Sequence, residues 1–270
     1  VLECVLNVSE GRSPEVLAAL TAAAGAELLD IHTDPHHHRS VLTLVGEDAP
    51  RRVAAAAVEL IDLSAHLGVH PRLGAVDVVP FVPLGAADLA SALAARNRFS
   101  TWLAGHHAVP CFHYGPERTL PEIRKRAFRD LAPDVGPSMP HPTAGASAVG
   151  ARGALVAYNV WLGDADLPTT RAVAAAARGD GIRSLGLDVG GRMQVSMNLI
   201  DPGRIGPGAA HDRVARSALR LGAHVTGAEL VGLMPASVLH AEPPYRWLEL
   251  DLDEDRTIEA RLAARGLPGG

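Results

Sequence analysis

The stretch GVHPRLGAVDVVPFVPL, Gly68 to Leu84, decides how the first half of the chain folds. From Val76 onward it is a run of apolar and β-branched residues, which predicts a strand. Pro80 and Pro83 place that strand toward a sheet edge or at a strand end, because proline gives no N–H to a ladder. Upstream, Asp48 and Pro50 open a helix whose Val53, Ala57, Leu60 and Ile61 share one face. Before it, ELLDI and SVLTLVG read as two strands flanking the polar loop TDPHHHR. Ser13 and Pro14 supply an N-cap and a first helical residue for Val16, Leu17, Leu20 and Ala24, after an opening strand VLECVLNV.

The order is therefore β-α-β-β-α-β, the pattern of ferredoxin-like units. It returns after residue 153: ALVAYNVWL as a strand, Thr169 to Ala177 as a helix, IRSLGLDV and RMQVSMNLI as strands joined at Gly190-Gly191. Asp212 to Leu221 then reads as a helix and ELVGLMP as a last strand. No residue-level repeat links the halves, so the duplication is one of pattern order. Between them lie a helix near Ala87 to Gly105, a short strand at PCFHY and a basic helix. That helix opens with a capping box, Thr119 with Glu122, and sets Arg124, Lys125, Arg126 and Arg129 opposite Ile123, Ala127 and Leu131. Residues 132–152 are dense in Pro, Gly, Ser and Thr, a linker by composition. The resulting fold class is α/β (α+β) with two ferredoxin-like βαββαβ subdomains, over 1–153 and 154–250. A polar, peripheral C-terminal tail over 251–270 completes the division.

Composition narrows the function classes. Of 270 residues, 47% are hydrophobic and 20% charged, an ordinary globular balance. A net charge of -5 with mixed signs argues against a general nucleic-acid binder. No apolar run approaches the roughly 20 residues of a membrane span. Two cysteines, Cys4 and Cys111, are too few for a disulfide framework, and the opening residues VLECVLNVSEGR lack a leader pattern; both suit a cytoplasmic protein.

The chemistry-bearing residues cluster in three places. His70 stands before Pro71, which biases it to extended backbone. An imidazole held on such a turn suits acid–base work, since its ordinary pKa is about 6.5; a surface turn histidine is an equal reading of the residues alone. Asp77 could orient His70 or face solvent, and Arg72 could clamp a carboxylate or pair with an acidic neighbour. TDPHHHRS offers Asp34, three adjacent histidines and Arg39. Adjacent side chains point in different directions and no HExxH or Cys pair accompanies them, so no metal site is expected and His36 and His37 read as solvated. Residues 136–145, GPSMPHPTAG, lack periodicity and any phosphate-loop pattern, and fit either a functional loop or a linker.

Several stretches together resemble the formiminotransferase family: LECVLNVSEGR, RSVLTLVG, GVHPRLGAVDVVPFVPL, PDVGP…AGA…VGAR, VSMNL and ELVGLMP. They fall in order from Leu2 to Pro235, and HPRLGAVDVVPF is the most specific. The resemblance implies transfer of a formimino group from N-formimino-L-glutamate to tetrahydrofolate, giving 5-formiminotetrahydrofolate and L-glutamate in histidine degradation. Tetrahydrofolate enters as co-substrate. The partners implied are small molecules and a second copy in a homodimer, with neither nucleic acid nor membrane.

His70 falls on the family's catalytic histidine, with Asp34 and Asp77 as candidate carboxylates beside a cationic amidine. Arg39 and Arg72 are the candidates for the glutamate carboxylates. The folate-binding segment falls on Gly136, Pro137, Ser138, Met139, Pro140, His141, Pro142, Thr143, Ala144 and Gly145. Two positions depart from the family pattern: His32 where an acid is expected, and His38 in place of an asparagine. These departures keep two other functions in view, a folate-dependent transferase with a different amine donor and a non-catalytic folate binder.

Overall fold

A computed structural model describes residues 1–67 and 72–267. The chain divides into two compact units. The first comprises residues 1–152 together with Arg265, whose guanidinium reaches the carbonyl of Ala26 at 3.3 Å. The second covers Gly153–Ala264.

The first unit begins with strand β1 (Leu2–Val8), helix α1 (Pro14–Ala24), strands β2 (Leu28–Asp34) and β3 (Arg39–Val45), helix α2 (Asp48–Leu60) and strand β4 (Val76–Pro83). Local chemistry sets the limits of α1. The Ser13 hydroxyl accepts from the N–H of Val16, Pro14 fills the first turn, and Gly25 at φ 65° ends the helix. The strands order β2-β3-β1-β4, antiparallel throughout, which is the ferredoxin-like arrangement. Alternate residues Cys4, Leu6 and Val8 meet Leu42, Leu44 and Phe81 in a core that also takes Leu20, Val53 and Phe99.

The sheet continues past β4. Helix α3 (Leu89–His107), strand β5 (Cys111–Tyr114), helix α4 (Leu120–Arg126) and strand β6 (Ser147–Ala151) follow, and both new strands run parallel to the ladder, giving the order β2-β3-β1-β4-β6-β5. Strand β4 is thus interior, not at an edge. Pro83 does end it, while Pro80 is tolerated because the ladder pairs with β1 fall on either side, at Val78 and Phe81. Strand β6 lies inside the segment that composition marks as a linker. Its five residues, SAVGA, are all buried, and at Gly150 a neighbour excludes any side chain. A Cβ on Gly150 would stand 2.3 Å from the Tyr114 ring. The capping box of α4 is present, but the helix stops at Arg126. Phe128 turns left-handed at φ 59° and donates its N–H to Leu131, so Arg129 and Leu131 do not extend the helical face.

The second unit repeats the topology with β7 (Val156–Gly163), α5 (Leu167–Ala177), β8 (Ile182–Val189), β9 (Arg192–Leu199), α6 (Pro207–Arg220) and β10 (His224–Val231). The order is β10-β7-β9-β8. Gly190 and Gly191, at φ 61° and 84°, make the tight turn between β8 and β9. Two short helices, α7 (Ala236–His240) and α8 (Ile258–Ala264), close the unit. The stretch after Asp251 is not peripheral: Leu252, Ile258 and Leu262 are buried, and Met234 pairs with Thr257. Its few apolar residues are spaced to reach the core between polar ones.

Among the described residues no helix is long and apolar enough to cross a membrane. Both cysteines are free and buried, and burial pushes the Cys111 thiol up to about 12, so it offers no thiolate at neutral pH.

Replacing Gly150 by valine should cost roughly 2–3 kcal/mol, because the added carbons must displace the Tyr114 ring in a filled interior. Urea unfolding measures it; an unchanged midpoint would refute the packing account of β6.

Candidate functional site

Because β1 runs antiparallel to both β3 and β4, the end of β1 lies beside the beginnings of the other two: Val8 pairs with Ser40 and Val76. Three connections therefore meet at one end of this sheet: residues 9–13 after β1, residues 35–38 between β2 and β3, and the segment leading into β4. His70 and its neighbours in residues 68–71 lie outside the described residues. The segments on both sides of them are described, and they define the surroundings.

Residues 9–13 form a backbone cradle around a carboxylate. Glu10 accepts the N–H groups of Gly11, Arg12 and Ser13 at 2.8, 2.6 and 3.0 Å. Burial raises the Glu10 carboxyl, but those N–H groups outweigh it and hold the group below its ordinary range. Ser9 ties the cradle to the β4 side, its N–H to the Ala75 carbonyl at 2.9 Å and its hydroxyl to Gly74 at 2.8 Å. Arg12 links the other two connections, donating to the Pro35 carbonyl at 2.8 Å and to Leu67 at 3.2 Å.

The three adjacent histidines do three different things. His36 is exposed. His37 is half-buried and its Nδ1 is held by Asp34, so it is not the solvated residue expected. Asp34 also caps the turn, accepting the N–H groups of His36 and His37 at 2.8 and 3.0 Å. Burial raises the Asp34 carboxyl, and the His37 backbone and ring together bring it below the ordinary aspartate value. His38 takes up a left-handed backbone at φ 52°, which swings its ring back to accept the Gly11 N–H at 3.1 Å. There it stacks on His66, the ring centres 4.0 Å apart. Burial lowers both imidazoles, helped by their mutual repulsion at His38 and by Arg72 at His66.

Asp77 is buried at 1% exposure, and its oxygens accept from the Leu73 N–H at 2.6 Å and from Arg124 at 2.7 Å. The basic helix α4 thus turns one arginine inward, while Arg126 pairs with Asp130 at its surface. Arg39, opposite Asp34 in the β2–β3 register, and Arg72 are both lowered by partial burial and both feel Asp77, which opposes that lowering. Four of the expected residues, Asp34, Arg39, Arg72 and Asp77, therefore share one electrostatic neighbourhood with Arg124.

The loop 136–145 is split in its placement. Residues 136–140 are exposed, Met139 at 70%. Residues 141–145 join the site: the Leu63 N–H donates to Thr143, that of Ala75 to Ala144, and that of Ala146 to Leu73, at 2.8, 2.9 and 3.0 Å. A Cβ on Gly74 would lie 2.0 Å from the Ala146 carbonyl oxygen, so only glycine allows this approach. Glu10 and Arg12 were not singled out from the sequence, while His38 was marked only as a departure from the family pattern and Arg124 only as part of the basic helix. The signal for the first two was present in NVSEGR, but an acid and a base before a helix also read as ordinary capping.

A family profile described as "Formiminotransferase domain, N-terminal subdomain" matches residues 1–152. A Streptococcus pyogenes serotype M1 protein named glutamate formimidoyltransferase is 34% identical over 289 residues, covering 96% of this chain and 97% of that protein. One of the same name from Thermoplasma acidophilum is 32% identical over 296 residues, with 97% of each covered. The chain belongs to the formiminotransferase family. It is accordingly a transferase. Against the formimidoyltransferase-cyclodeaminase of Sus scrofa, 34% identity extends over 99% of this chain but 57% of that longer protein. In this formiminotransferase the profile's span coincides with the described part of the first unit that carries the whole cluster above.

The lowered histidines give a pH signature. Below about pH 6.5 an unfolded chain takes up protons that folded His38 and His66 resist, so stability falls as pH drops through that value and is regained above it. Urea midpoints between pH 7.5 and 5.5 should show this slope, and His66→Gln should flatten part of it; an identical slope in the variant would contradict the assignment.

Proposed function

We propose that this chain transfers the formimino group of N-formimino-L-glutamate to tetrahydrofolate, giving 5-formiminotetrahydrofolate and L-glutamate. The observation that carries the reading is the convergence of NVSEGR, TDPHHHR, RLGA and HPTAG at one sheet end, on both sides of residues 68–71, in a member of the formiminotransferase family. Relatives covering nearly the whole chain bear the matching name.

In this reading the N5 amine of the folate attacks the amidine carbon. His70 takes the proton from that nitrogen in the tetrahedral intermediate and returns it to the departing glutamate nitrogen, after which the carbon–nitrogen bond to glutamate breaks. Asp34, kept ionised by its backbone donors, faces the cationic amidine. Arg39 and Arg72 take the carboxylates of the donor, the fork geometry of a guanidinium matching a carboxylate. Asp77 holds residue 73 and Arg124, and so acts on the turn rather than on substrate. Residues 136–145 form the wall against which the folate lies. Family resemblance is likewise the support for a cytoplasmic homodimer serving histidine degradation, which gel filtration and pathway assays test.

Purified protein with N-formimino-L-glutamate and tetrahydrofolate should form 5-formiminotetrahydrofolate, followed by absorbance and mass spectrometry. His70→Ala should lower kcat by about 10²–10⁴-fold while reduced-folate binding and the melting curve stay as in the parent. No product from the parent protein, or product only with a different amine donor, overturns the substrate assignment. An undiminished rate in His70→Ala overturns the proton-transfer role alone.

A further inference from the structure

We propose that His141 is a positioning residue of the folate wall, its ring serving as an acceptor that clamps the turn 141–145; the inference rests on the reading above. His141 opens a tight turn in which its N–H donates to the Gly145 carbonyl at 2.7 Å and the Gly145 N–H returns to the His141 carbonyl at 2.9 Å. Pro142 has no N–H to contribute. The two remaining amides, Thr143 and Ala144, both donate to His141 Nδ1, at 3.3 and 3.0 Å. A nitrogen that accepts N–H groups must present its lone pair, so the geometry assigns the ring proton to Nε2. The side chain does for this turn what aspartate or asparagine does in an ordinary capped turn.

The outward edge of the same turn is what reaches the site. Thr143 and Ala144 accept from Leu63 and Ala75, on the two sides of residues 68–71, and the Thr143 hydroxyl lies 3.4 Å from Nδ1. One imidazole therefore sets the inner half of a staple whose outer half holds the described segments on both sides of residues 68–71. His141 is thus assigned to loop geometry, not to contact with the pterin.

The test is steady-state kinetics on the full chain. Losing both acceptor bonds in His141→Ala should raise KM for tetrahydrofolate about 10-fold and leave kcat within about 3-fold. His141→Asn, whose carbonyl oxygen can accept the same amides, should restore KM. Histidine ¹⁵N spectra should show His141 as the Nε2–H tautomer. Equal impairment of the alanine and asparagine variants, a parent-like KM in His141→Ala, or an Nδ1–H tautomer overturns the proposal. If the alanine variant does not fold, the asparagine variant and the spectrum decide. A parent protein that never turns over tetrahydrofolate refutes the proposed function, whereas the tautomer still decides the clamp.

Discussion

Backbone has to lie on backbone where residues 73–75 pass residues 144–146, and the rest of the site depends on that contact. Gly74 makes it possible, since any side chain there would collide with the Ala146 carbonyl, and Gly145 completes it at φ 68°. Once the two segments are zipped, the run that composition marks as a linker becomes part of the sheet. Strand β6 is then carried alongside β4, and α4 is brought over the joint so that Arg124 reaches Asp77. The buried Asp77 carboxylate would be costly without that guanidinium. With it, the ion pair and the Leu73 N–H fix the backbone that follows residues 68–71.

Charge at this end of the sheet is divided by function. Carboxylates are spent on backbone: Glu10 gathers three amides, Asp34 two, and Asp77 one amide with an arginine. Each of these acids is fixed in place by its donors, and on Glu10 and Asp34 those donors also hold the carboxyl below its ordinary range. Arginines collect beside them, with Arg39, Arg72 and Arg124 around Asp77. His38 and His66 stay neutral in the same surroundings because burial and nearby cations oppose their protonation.

Periodicity made much of the fold legible. The alternation of Cys4, Leu6 and Val8, the Ser13-Pro14 start and the Gly190-Gly191 turn all follow from rules local to a few residues, and the structure keeps them. Strand β6 was hidden in part because its Gly150 is required by the Tyr114 ring, a contact no local rule contains. The start of α6 at Pro207 lies ahead of the Asp212 expected, since Gly206 offers no capping side chain and Pro207-Gly208 look like breakers; Glu242 supplies the missing acceptor to Gly208 at 2.8 Å. The site was half legible. Its charged residues could be picked from glycine- and proline-fenced motifs, but His37 and His38 were inseparable by sequence. Only the sign of φ at His38 sends one ring to Asp34 and the other to Gly11 and His66.

Two units with one topology differ in what their loops carry, and that difference explains where the chemistry resides. In each, the first strand ends beside the starts of the third and fourth, so three connections must gather at the same end of the sheet. In the second unit those connections are short: a turn at Asp164, two glycines after Val189, and three residues between Arg220 and His224. They carry an exposed Asp164–His224 pair at 3.2 Å and an Arg192 guanidinium 4.1 Å over the Trp161 ring. In the first unit the corresponding connection from α2 to β4 is long, and residues 141–145 are drawn in from a distant part of the chain to brace it. Length there admits the imidazoles and arginines, and the brace removes the freedom that length would otherwise bring. The fold offers the same end twice, and among the described residues the first unit's is the one built on a long, braced connection.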